Sequence, residues 1–70
     1  MRLERNSRKL IKLLEANGWY SIATEGSHHH FRHPALPEKV TVPHPNKDIA
    51  LRTVKSVYRQ AGWLTDKDIP

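Results

Sequence analysis

Apolar positions recur along this chain with two different periods, and the changes of period divide it into five elements. Leu10, Ile11, Leu13 and Leu14 fall on one side of a 3.6-residue wheel, with Arg5, Lys9 and Lys12 on the other. Asn6 or Ser7 can open such a helix by accepting a hydrogen bond from a free backbone N–H. Asn17-Gly18 can close it, because glycine takes the left-handed conformation at low cost. The spacing predicts a helix from about Ser7 to Ala16. The next six residues, Trp19 to Thr24, are rich in aromatic and β-branched types and predict a strand. Glu25-Gly26-Ser27 reads as a turn, and His28 to His33 as a second strand paired antiparallel to the first. Pro34 to Pro37 predicts a break, since proline cannot donate to a sheet ladder. Lys39-Val40-Thr41-Val42 then alternates with period two, a third strand closed by Pro43 and Pro45. Leu51, Val54, Tyr58 and Ala61 return to helical spacing, with Val57 beside them. Asp48 is the expected N-cap and Gly62 the expected end. Trp63 and Leu64 are expected to fold back onto the core, and the tail from Thr65 to fray.

The order helix, strand, strand, strand, helix defines an α+β class. Two amphipathic helices can cover one face of a three-stranded antiparallel sheet and leave the other face to solvent. Seventy residues make a single domain over residues 1–70. A domain of that size buries only about 60% of the surface its unfolded chain exposes, so the core is thin. The chain has no cysteine, which excludes a disulfide, a thiolate metal site and a Cys nucleophile. Its first residues, Met1-Arg2-Leu3-Glu4-Arg5, lack the apolar region of a signal peptide, and no apolar run is long enough to span a bilayer. The expected setting is the cytoplasm, with no membrane partner.

Charge changes the picture most. Twelve Lys and Arg against seven Asp and Glu give a net +5. That excess draws in polyanions and makes nucleic acid the expected partner, weighed against a plain basic, solvated surface.

Five histidines, four of them between His28 and His33, supply the candidate chemistry. Four readings compete. Gly26-Ser27-His28-His29-His30 looks like part of an affinity tag, but it lies mid-chain inside a strand pattern and Phe31 follows it. A metal site can be drawn from His28 and His30, which share a strand face about 7 Å apart, with His44 approaching from the end of the third strand. That set lacks an acidic ligand or a helical histidine pair. A structural role suits His29 and His33, which share their face with Phe31. Catalysis suits His28, because imidazole accepts and donates protons at cellular pH. RNA carries its own nucleophile, the 2′-hydroxyl. A group that moves a proton at the scissile bond contributes roughly 10²- to 10⁴-fold, and cations can neutralise charge developing on the phosphate. Arg32 shares the face of His28 and His30, so the second strand offers an imidazole–imidazole–guanidinium row.

Gly26-Ser27-His28 opening a strand, Phe31-Arg32-His33-Pro34, Val40-Thr41-Val42-Pro43-His44, and Thr53-Val54 through Gln60-Ala61-Gly62 together resemble the HicA family, the toxins of bacterial HicA–HicB toxin–antitoxin pairs. The ordered set covers about Leu10 to Leu64. The resemblance implies a fold similar to the double-stranded-RNA-binding domain and an mRNA endonuclease that uses no metal or other cofactor. It places the family's functional histidine on His28, and implies a HicB-type antitoxin that covers the active face. Two features depart from the family pattern: both residues after His28 are histidine, and Arg52 stands before Thr53 where glycine is frequent.

The full expectation is a metal-independent endoribonuclease acting on single-stranded mRNA. His28 is the catalytic group, with Ser27, His30 and His44 as possible assistants. Gly26 bends the turn that presents His28. Arg32, Arg52, Lys55 and Arg59 are candidate phosphate contacts, the last three as a cationic stripe on the final helix that is equally readable as a solvated face. Trp19 and Tyr20 read as core aromatics before stacking platforms. The alternative is a non-catalytic RNA-binding module of the same fold.

Overall fold

The computed structural model describes residues 3–64. The elements are α1 (Ser7–Ala16), β1 (Tyr20–Glu25), β2 (His28–His33), β3 (Leu36–Pro43) and α2 (Leu51–Gln60). The strands form one antiparallel sheet in the order β1-β2-β3. The expected α+β arrangement, α-β-β-β-α with both helices on one face and resembling the double-stranded-RNA-binding domain, is the one observed.

Alternation decides which residues face the helices. Phe31 on β2 sits opposite Val40 on β3, and all of Phe31, Val40 and Val42 are buried. Leu10 and Leu14 of α1 and Val54, Val57 and Tyr58 of α2 close over them. Trp19, Ile49, Ala61 and Leu64 complete the core, so the segment after α2 does fold back. Trp63 packs edge-on against Tyr58 with ring centroids 5.1 Å apart. Tyr58 also keeps its hydroxyl satisfied, accepting the Glu4 N–H at 3.0 Å. The expectation for the tail from Thr65 lies outside the described residues.

Several boundaries differ from the sequence reading, each for a physical reason. β3 starts at Leu36, not Lys39, and Pro37 lies within it. β3 is an edge strand, where a missing N–H costs no ladder bond. The break therefore shrinks to a tight connection after His33. β1 begins at Tyr20, leaving Trp19 just before it and buried. Tyr20 is half-exposed, so only one of the two aromatics is a core residue. Asp48 does not cap α2. Ala50 holds that position without a side-chain bond, and the Asp48 carboxylate instead meets the Arg5 guanidinium at 3.1 Å. Leu51 precedes the stripe that reaches the core and is 42% exposed, and Leu13 at 38% turns away from it as well.

Two glycines are required by backbone geometry. Gly26 has φ +59 and is the first residue of the two-residue loop between β1 and β2, a positive φ in the place a type II′ hairpin demands. Gly18 follows α1 with φ +93, and a Cβ there would stand 2.8 Å from Nε2 of His33. Gly18→Ala is expected to cost about 2 kcal/mol, from the left-handed backbone and the displaced imidazole together. A lowered urea midpoint checks this, and an unchanged midpoint contradicts it.

Candidate active site at the β1–β2 corner

The hairpin presents its histidines on two faces. His28 pairs with Glu25 on one side and Pro43 on the other, at the very start of β2. By alternation His28, His30 and Arg32 point away from the helices, while His29, Phe31 and His33 point toward them. The row expected on β2 is therefore formed, but its members differ in what they can do.

His28 is exposed, and among the described residues no hydrogen bond or ion pair engages its ring. His30 is nearly buried with both ring nitrogens occupied. Nδ1 lies 2.8 Å from Thr41 Oγ1 and Nε2 lies 2.7 Å from the Glu25 carboxylate. That clamp ties the three strands together across the open face, so His30 braces the sheet beside His28. His30→Ala is expected to lower stability by about 1–2 kcal/mol through the lost bonds. The activity of each folded molecule should stay within a few-fold, and a loss as deep as that of a His28 variant would contradict the bracing role. Arg32 is exposed and donates to the Pro37 carbonyl at 3.2 Å. It lies four residues along β2 from His28, roughly 13 Å at strand rise. Lys39 precedes buried Val40 and shares the open side, a cation the sequence reading did not single out.

The helix-facing histidines are anchored. Nδ1 of His33 accepts the Ala35 N–H at 3.0 Å, which makes Nε2 the protonated nitrogen, and that donates to the Asn17 carbonyl at 3.0 Å. Its ring meets Trp19 edge-on at 5.3 Å. This is the structural role expected for it. His29 meets the His44 ring edge-on at 4.9 Å. His44 lies just past β3, held by its backbone N–H to the Ser27 carbonyl at 2.8 Å. Its Nδ1 is 2.6 Å from the buried Ser7 hydroxyl. The His44–Pro45 peptide is cis.

His44 thus shares an end of the sheet with His28 but packs on the helix side, and the three-histidine set drawn from His28, His30 and His44 is not assembled. Among the described residues no three His, Asp or Glu side chains come together to hold a metal ion. Ser27 occupies the second loop position, exposed. Arg52, Lys55 and Arg59 lie on α2, across the sheet from the face of His28, so the structure does not bring them to it. The Ser7–His44 pair went unforeseen. Its only sequence signal is a serine one turn ahead of the apolar stripe of α1, which also reads as a cap. The cap is in fact Asn6, accepting the Lys9 N–H at 3.2 Å.

The fold and this corner define a small α-β-β-β-α protein with a net positive charge and an exposed imidazole, unengaged among the described residues, at the mouth of an open-faced sheet. The family model described as HicA toxin of bacterial toxin–antitoxin systems matches residues 7–63, and the chain belongs to that family. It is the toxin of such a system, a role that pairs it with an antitoxin. No curated protein sequence matches the chain. Among the described residues no helix is long and apolar enough to cross a membrane.

Proposed function

We propose that the 70 residues act as a single-domain endoribonuclease that cleaves mRNA without a metal cofactor, with His28 as its catalytic residue. The observation that carries this reading is the state of the ring: alone among the four histidines of β2, His28 is exposed and unengaged by the described residues. Family membership supports it, because a toxin must act on something the cell needs. The basic composition favours a polyanion as that target.

The chemistry needs two proton transfers. The 2′-oxygen loses a proton as it attacks phosphorus, and the 5′-oxygen gains one as it leaves. The products are a 2′,3′-cyclic phosphate and a 5′-hydroxyl, so no proton is gained or lost overall. His28 serves one of these transfers, and solvent can serve the other. Single-stranded RNA is the accessible substrate, since it can lie across an open sheet with its 2′-hydroxyls exposed. Arg32 and Lys39 hold flanking phosphates on that face, while Arg52, Lys55 and Arg59 are left to longer-range attraction. A HicB-type antitoxin restrains the toxin by covering the corner, and the pair acts in the cytoplasm, where mRNA is found.

Incubating the purified protein with end-labelled single-stranded RNA in EDTA tests the reading, with the DNA oligonucleotide of the same sequence alongside. RNA cleavage with intact DNA is expected. Binding without cleavage would make the chain an RNA-binding module, and cleavage abolished by EDTA would make it a metal nuclease.

A further inference from the structure

The end of the sheet that carries His28 also holds a cavity. It measures about 250 Å³ and opens between the start of α1 and the loop after β3, lined by Asn6, Ser7, Arg8, His44, Pro45, Asn46 and Lys47. Its floor is rigid. The Ser7 N–H donates to the Asn46 carbonyl and the Asn46 N–H to the Ser7 hydroxyl, both at 2.8 Å. The same hydroxyl fixes His44 through Nδ1, which leaves Nε2 without a partner among the described residues.

The rim is cationic. Arg8 and Lys47 are exposed, and neither forms a hydrogen bond or ion pair among the described residues. The nearby carboxylates are already engaged. Asp48 meets Arg5 at 3.1 Å, and Glu4 accepts the Asn6 N–H at 3.1 Å. The cavity is smaller than the roughly 300–1,000 Å³ of sites that enclose a small molecule. It suits one phosphate group and part of its nucleotide. The cavity also adjoins the proposed cleavage point. His44 bonds Ser27 through its backbone, and its ring rests on His29, the neighbour of His28.

We propose that this cavity is a phosphate subsite for the RNA strand, in which Arg8 and Lys47, with Nε2 of His44 beneath them, grip a phosphodiester next to the one at His28. The strand then turns around the end of the sheet instead of lying on the open face alone. The identity of the ligand rests on the RNA reading above, whereas the subsite itself is tested without cleavage.

The test uses His28→Ala protein, in which RNA stays intact, and follows binding of a labelled single-stranded oligonucleotide as salt is raised. Each phosphate contact to a single strand contributes about 0.7 to the slope of log affinity against log salt. Arg8→Ala with Lys47→Ala, which together remove one phosphate contact, should therefore reduce that slope by about 0.7 and weaken binding at least tenfold at low salt. Lys9→Ala with Lys12→Ala removes equal charge from the outer side of α1 and should change both far less. On adding RNA, the amide resonances of Ser7, Asn46 and Lys47 should shift, and inorganic phosphate at the same phosphate concentration should shift them less. An unchanged slope, an equal loss in the Lys9/Lys12 protein, or still pocket amides would overturn the subsite. Equal shifts with inorganic phosphate would make it a free-anion site instead. If the wild-type protein cleaves nothing but the Arg8/Lys47 variant loses RNA binding, the subsite stands and the nuclease reading falls.

Discussion

Replacing His28 by alanine is expected to reduce RNA cleavage by at least about 10²-fold, the scale on which positioned proton transfer contributes, and to relieve growth arrest in cells without antitoxin. The same change should leave the unfolding midpoint nearly where it was. The ring is exposed and unengaged among the described residues, and surface substitutions away from special features stay within about 0.5 kcal/mol. The pairing of these outcomes separates chemistry from folding. A variant inactive because it is unfolded would show both effects, and a fully active folded variant would remove His28 from the reaction. Comparison with His30→Ala sharpens the contrast, since that ring spends both nitrogens holding Thr41 and Glu25.

Phe31→Ala carries the largest expected effect on stability. Phe31 is 2% exposed at the centre of β2, opposite Val40 and beneath both helices. Truncating a buried Phe costs about 3–5 kcal/mol through lost burial and the cavity left behind. A chain of this length has a total of roughly 4–10 kcal/mol to lose. The variant should be largely unfolded near body temperature, or melt many degrees below the wild type. Calorimetry or circular dichroism reads this directly, and a melting point lowered by only a few degrees would mean the core is not centred on this ring. The prediction also bears on function, because Phe31 sets the alternation that turns His28 and His30 outward.

That alternation was legible in the sequence. A lone Phe among four histidines fixes which of them face the core, and Gly26-Ser27 marks the bend that starts the strand at His28. The helices were legible for the same reason: Leu10 with Leu14 and Val54 with Val57 and Tyr58 keep helical spacing. What stayed hidden depends on tertiary position. Pro37 is compatible with a strand only because β3 is an edge, and edge position is not written locally. Asp48 has the chemistry of a cap but finds Arg5, 43 residues away in the chain, a closer partner than a helix N-terminus. The distinction between His28 and His30 was invisible for the same reason. It turns on Thr41 and Glu25, which reach the second imidazole only after three strands assemble. The cationic stripe of α2 shows the converse, a real periodicity that the fold carries to the wrong side for His28.

The central claim is that an exposed imidazole at the start of β2 moves a proton while the RNA attacks itself. The chemistry of the cut ends tests it most directly. Fragments made by the wild-type protein in EDTA should end in a 2′,3′-cyclic phosphate and begin with a 5′-hydroxyl, and a single 2′-deoxy sugar at the cleaved position should block the cut. Fragments bearing a 5′-phosphate, or undiminished cleavage at the 2′-deoxy position, would contradict it.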